Sequence, residues 1–144
     1  MAILWACLAL FLFRVSAQLA QYFFEWPFLP PFEAWHSAVV PYWLLLVIQL
    51  AIATYLGRVA ANISTGRVQP TRRSAFCWLG FGLIYFVTMA GRMILGLTVL
   101  STHDWFSNRL PTFFHLVLAA FVIVVGVTYL RIDRVGLTEG DIAA

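Results

Sequence analysis

Arg14 is the first residue in this chain that could do chemistry. It stands near the middle of an apolar run, and Gln18 and Gln21 follow four and seven residues later. That spacing places all three side chains on one helical face. A guanidinium stays charged and presents five donors in a planar fork, so away from water it seeks an anion or a neutral oxygen. Gln49 lies near the middle of the next apolar run, at similar depth. On a third run Tyr85, Thr88 and Arg92 share a face at i, i+3 and i+7. No Asp or Glu lies inside these runs, and the nearest acids, Glu25, Glu33 and Asp104, stand at their outer borders.

A charge at the centre of a bilayer costs at least about 2.5–3.5 kcal/mol on insertion scales, so it faces a partner or the bundle interior. Three arrangements satisfy the requirement. Oxygens of Gln18, Gln49 and the backbone can serve Arg14 while Arg92 snorkels to the headgroups. An anionic lipid head, a quinone oxygen or a carboxylate substrate can fill a ligand site built from Arg14, Gln18, Gln49, Arg92 and His115. An acidic residue of another subunit can take the same place.

The histidines make a second constellation. His36 opens the second apolar run, His103 lies in a loop, and His115 lies one turn into the last run. All three fall near one end, with Glu33, Asp104 and Arg92 at comparable height. Imidazoles gathered with carboxylates can ligate zinc or copper, and two facing imidazoles can hold a haem. His36, His103 and His115 are therefore the candidate metal ligands, although none has a tight spacing such as HxxxH. His115 equally suits an interhelical hydrogen bond. Cys7 and Cys77 form no motif and read as small hydrophobes. GxSxG, Walker, HExxH and glycine-rich dinucleotide motifs are absent, so no catalytic residue is assigned.

These residues require a scaffold that buries them. The chain has 144 residues, 62% hydrophobic and 10% charged, whereas soluble domains carry about 25% charged residues. A soluble fold of this size has too little interior for so much apolar surface. A water-soluble enzyme domain, a nucleic-acid binder and a disordered chain are excluded. What remains is a single all-α domain, an integral membrane four-helix bundle. Its spans fall at about 2–24, 37–60, 75–100 and 112–130, each near the roughly 20 residues that cross a bilayer. The first run has no basic residue before it and no small-residue cleavage site after it, so it reads as a true span rather than a signal peptide.

Arginine asymmetry orients the bundle. Of the nine basic residues, all arginine, Arg58, Arg67, Arg72, Arg73, Arg131 and Arg134 border one side. The opposite loops hold Arg109 against Glu25, Glu33 and Asp104. The positive-inside rule then puts the N and C termini, the loop 61–74 and the tail 131–144 in the cytoplasm. The outer loops, 25–36 and 101–111, are dense in Trp and Phe, as in an aromatic belt or a folded-back lid. Pro41 and Pro111 lie near span starts, where a missing N–H costs little. The sequon Asn62-Ile63-Ser64 falls on the cytoplasmic side and is discounted. Ala53, Gly57 and Ala61 form a small-residue stripe, and Gly80, Gly82, Gly91 and Gly96 allow close packing of the third span. No internal repeat suggests a transporter-type duplication.

Several stretches carry a resemblance. Pro30-Pro31-Phe32-Glu33-Ala34-Trp35, then Pro41-Tyr42-Trp43-Leu44-Leu45-Leu46 and Gln49, resembles a pattern in small four-span bacterial integral membrane proteins of unknown function. Leu110-Pro111-Thr112-Phe113-Phe114-His115, followed by Leu118-Ala119-Ala120, looks like that family's last span. Arg14 with Gln18, and Arg92, fit it too. The resemblance covers most of residues 10 to 130. It implies a multi-pass protein of the bacterial inner membrane and carries no activity.

The expected function is that of a non-catalytic subunit or accessory protein of a larger membrane complex, such as an energy-transducing one. Its partners would be the lipid bilayer and other membrane subunits, with a bound lipid, quinone or pigment as further candidates. The rival is a protein or membrane enzyme with an outward-facing polar pocket for a lipid, quinone or anion. A third reading is a metal or haem protein using the outer histidines.

Overall fold

Long apolar runs without interior proline leave one arrangement that pairs every backbone amide in hydrocarbon, the α-helix. The computed structural model describes residues 1–35, 40–98 and 109–142, with side chains to residue 133. Ser37 and Leu100, the expected limits of two spans, lie outside the described residues, as do His36, His103 and Asp104. Among the described residues there are five helices: α1 (Ala2–Phe24), α2 (Phe32–Trp35), α3 (Tyr42–Ser64), α4 (Arg72–Leu97) and α5 (Arg109–Ile142). Four of them are long and apolar enough to cross a membrane: α1, α3, α4 and the Arg109–Asp133 part of α5. At 1.5 Å per residue, α1 and α3 are each about 35 Å long, enough for a hydrocarbon core of about 30 Å.

Local chemistry sets the helix ends. Pro41 occupies the N-cap of α3, and Pro111 lies in the first turn of α5, where its lack of an N–H removes no helical bond. The Thr71 side chain caps α4 by accepting from the Ser74 N–H at 3.3 Å. Past α3 the chain reverses through Gly66 at φ 67°, and the Arg67 N–H donates to the Asn62 carbonyl at 3.0 Å. Glu25 adopts the same left-handed conformation at the end of α1, at φ 46° without glycine's freedom.

α5 is the central element. It packs along α4 and against α1, and α3 rests on α1. Leu4 and Leu8 of α1 meet Leu56, Ala60 and Ile63 of α3 and Phe121 and Val125 of α5 in the main apolar cluster. At the same end the Trp5 indole donates to Ser64 Oγ at 3.2 Å. The α4–α5 seam closes where two glycines face the opposite helix. A Cβ on Gly82 would lie 2.8 Å from Ile123 Cγ1, and one on Gly126 would lie 2.8 Å from the Leu79 backbone nitrogen. Only glycine permits that approach. Gly80 and Gly91, by contrast, have nothing within 4 Å of an added Cβ. Gly57 of the small-residue stripe faces Leu8 of α1 at an ordinary 3.8 Å. The seam therefore uses Gly82 with a glycine outside the expected set. Among the described residues α4 buries only Ala75, Gly82, Arg92 and Gly96, so most of its apolar surface faces outward.

Candidate functional site

The polar residues of the spans meet near the end of the bundle that carries α2. Arg14, Gln18 and Gln21 of α1 lie on one buried face, as their spacing requires. Arg14 is 7% exposed, and its Nη2 donates to the Trp35 carbonyl at 3.3 Å. Its guanidinium also sits over the Phe114 ring, 5.7 Å from the centroid. Trp35 is held in turn. Its indole N–H donates to the Pro30 carbonyl at 2.9 Å, and its ring stacks on Phe114 at 6.3 Å. The short helix α2 is thus folded back onto α1 and α5, and it delivers a backbone oxygen to a buried cation.

Gln18 and Gln49 join α1 to α3. They are 0% and 4% exposed, and Gln49 Nε2 donates to Gln18 Oε1 at 3.4 Å. The pair leaves Gln18 Nε2 and Gln49 Oε1 without a partner among the described residues, and Arg14 Nε is in the same position. Exchanging the amide orientations changes which atoms are orphaned but not their number, because one bond can satisfy only one donor and one acceptor. Native proteins rarely leave buried polar atoms unsatisfied without a functional reason or an additional bound group.

The α4 and α5 side supplies Arg92, Tyr85 and His115. The Tyr85 hydroxyl and His115 Nδ1 are 2.6 Å apart. With the phenol as donor, the ring proton of a neutral imidazole stands on Nε2. Arg92 is 9% exposed, so it is folded inward rather than snorkelling to the membrane surface. Thr88, grouped with it by spacing, is exposed and back-bonds to the Ile84 carbonyl at 2.8 Å. It takes no part in the cavity.

A cavity of about 200 Å³ lies between these side chains. Arg14, Gln49, Arg92 and His115 line it together with Trp35, Phe114 and apolar residues of α1, α3 and α5. Gln18 stands behind Gln49 and positions it. Of the candidate metal ligands only His115 is described. Among the described residues no group of three His, Cys, Asp or Glu is arranged to hold a metal. Among the described residues the wall carries two cations, an imidazole and an amide, but no carboxylate, thiol or aliphatic hydroxyl. Chemically the described wall is an anion or carbonyl cradle.

Two features of the site escape a reading by spacing. Tyr85 lies on the same face as Arg92, yet its partner is on another helix, and no local signal announces that. The Trp35 carbonyl is a backbone atom; the only cue is the Pro30-Pro31 turn ahead of a tryptophan. Gln21 lines a separate rim pocket of about 480 Å³ with Glu25 and Glu33.

No protein-family model, curated protein or solved structure matches the chain. The four long apolar helices agree with a four-span membrane protein, and no family is identified.

Proposed function

We propose that this chain is a ligand-binding protein of the bacterial inner membrane, with both termini cytoplasmic, and that its cavity takes an anionic headgroup. The observation that carries the reading is the donor set of the cavity. Two buried guanidiniums line it, and among the described residues Arg14 Nε has no partner and the wall holds no carboxylate. An anion would offset the Arg14 charge and accept from Arg14 and the Gln49 amide.

The accessory-subunit reading draws on the same donors, with an acidic side chain of another membrane subunit in place of the ligand. The cavity lies between all four spans and beneath Trp35. That enclosure favours a group held within this bundle over a side chain reaching in from outside. The aromatic outer segment, with Trp35 seated on Phe114, then serves as a cap over the site.

The probe is dihexanoyl phosphatidylglycerol, an acidic lipid with tails too short to fill a membrane groove, titrated by calorimetry in a neutral detergent. Dihexanoyl phosphatidylcholine is the control. A hydrogen bond to a charged group contributes about 1.5–3 kcal/mol. Arg14→Gln and Arg92→Gln should therefore each weaken binding of the acidic probe by about tenfold or more. Binding of both lipids with equal strength, unaffected by either substitution, would defeat the reading.

A further inference from the structure

The rim pocket of about 480 Å³ shares no lining residue with the polar cavity. Its walls come from two stretches of chain. The end of α1 supplies Gln21, Tyr22 and the C-cap residue Glu25, and the turn into α2 supplies Pro31, Phe32 and Glu33. Gln21 and Glu25 are four residues apart and so share a helical face. Glu25 is held at φ 46°, with its N–H donating to the Gln21 carbonyl at 3.3 Å. Tyr22 is fixed by three other rings. It stacks on Tyr42 at 4.7 Å and lies 5.5 Å from both Phe32 and Trp43.

We propose that this pocket binds a water-borne aliphatic amine, a diamine above all, with an ammonium group seated on Gln21, Glu25 and Glu33. Gln21 carries the argument. Its side chain is 7% exposed and lines the pocket, and its Oε1 has no partner among the described residues. A buried acceptor in that state calls for a donor. The surroundings say which kind. Two carboxylates line the pocket, the described lining holds no cation, and the last turn of α1 has no basic residue to offset the negative end of the helix. A primary ammonium brings three N–H donors, and the amide oxygen and the two carboxylates match them. Tyr22 and Phe32 offer ring surface to the cation and its methylenes. A quaternary ammonium has no N–H and would leave Gln21 Oε1 unmatched. A bare metal ion fits less well, because no group of three His, Cys, Asp or Glu is arranged to hold one among the described residues. An ethanolamine lipid or an amino acid would bring a phosphate or a carboxylate close to Glu25 and Glu33, where like charges repel. A second ammonium instead offsets the second carboxylate.

The experiment titrates diaminobutane into the full chain in neutral detergent and follows binding by calorimetry. Butylamine, tetramethylammonium, aminobutyrate, dihexanoyl phosphatidylethanolamine and calcium are the comparisons. Diaminobutane should bind more tightly than butylamine, and none of the other four should displace it. Gln21→Leu should weaken diaminobutane binding about tenfold or more, because the buried acceptor is lost. Gln21→Glu, which presents an oxygen in either amide orientation, should strengthen it about threefold. Glu25 and Glu33 are exposed, so Glu25→Gln and Glu33→Gln should each weaken binding about threefold. These two substitutions, with Gln21→Glu, keep the test decisive should Gln21→Leu disturb the fold. Binding unchanged by the Gln21 and glutamate substitutions would overturn the proposal. So would displacement of diaminobutane by tetramethylammonium, aminobutyrate or calcium, or by the ethanolamine lipid, which would assign the pocket to a headgroup. The amine site and the anion cavity share no lining residue, so either can fail without the other.

Discussion

The Gln18–Gln49 pair allows structure and binding to be separated. Both side chains are almost fully buried, and a single 3.4 Å bond joins them across α1 and α3. That length is beyond the usual N–H···O range, so the bond itself is worth little. Interhelical hydrogen bonds in membranes average about 0.6 kcal/mol. Gln49→Leu removes this bond and also strands Gln18, which has no exposure through which to recover a partner. Stranding a buried polar group costs about 1–3 kcal/mol. The single substitution should thus destabilise the bundle by about 1–3 kcal/mol, and Gln18→Leu should do the same. The double substitution removes both polar groups and should cost less than either alone, so the coupling is at least as large as one single's loss of about 1–3 kcal/mol. Reversible unfolding in mixed micelles, followed by tryptophan fluorescence, measures the cycle. Headgroup binding should not return in the double variant, because the Gln49 amide lines the cavity. Additive stability losses, or headgroup binding restored along with stability, would refute the reasoning.

Other perturbations test other contacts. Gly126→Ala puts a Cβ 2.8 Å from the Leu79 backbone nitrogen, and overpacking of that kind costs about 1–3 kcal/mol. Gly91→Ala, with nothing within 4 Å, should be neutral or stabilise α4 by up to about 1 kcal/mol, and the same unfolding assay compares the two. Tyr85→Phe removes the 2.6 Å bond to His115 at a cost of about 1 kcal/mol. Nitrogen NMR of labelled His115 should show the Nε2–H tautomer in the parent protein and a mixture in the variant. A green fluorescent protein fused after Ala144 should fluoresce and an alkaline phosphatase fused there should be inactive, as a cytoplasmic terminus requires; the reverse pattern would invert the bundle.

The membrane architecture is legible in the sequence because length and hydropathy act over some 20 residues at once, and no tertiary detail changes that sum. The common face of Arg14, Gln18 and Gln21 is equally legible, since helical periodicity determines it. Tertiary pairing is not. Gly82 and Gly91 look equivalent in the third span, but only the crossing with α5 at Ile123 and Leu79 makes Gly82 and Gly126 the close contacts. Arg92 stands close enough to the end of α4 to snorkel, and a local reading allows it; the cavity beside Gln49 and His115 provides the inward alternative. The partner of Arg14 is a carbonyl of α2, a four-residue helix whose position depends on Trp35 packing against Phe114.

Retention of lipid by the purified protein tests the central claim most directly. The chain is extracted in a mild neutral detergent from membranes containing both acidic and zwitterionic lipids and is weighed by native mass spectrometry. The account predicts one acidic lipid per chain, retained through delipidating washes and lost when Arg14 and Arg92 are both replaced by glutamine in a variant that remains folded. A bare chain, or one that holds zwitterionic lipid as readily as acidic lipid, would contradict it.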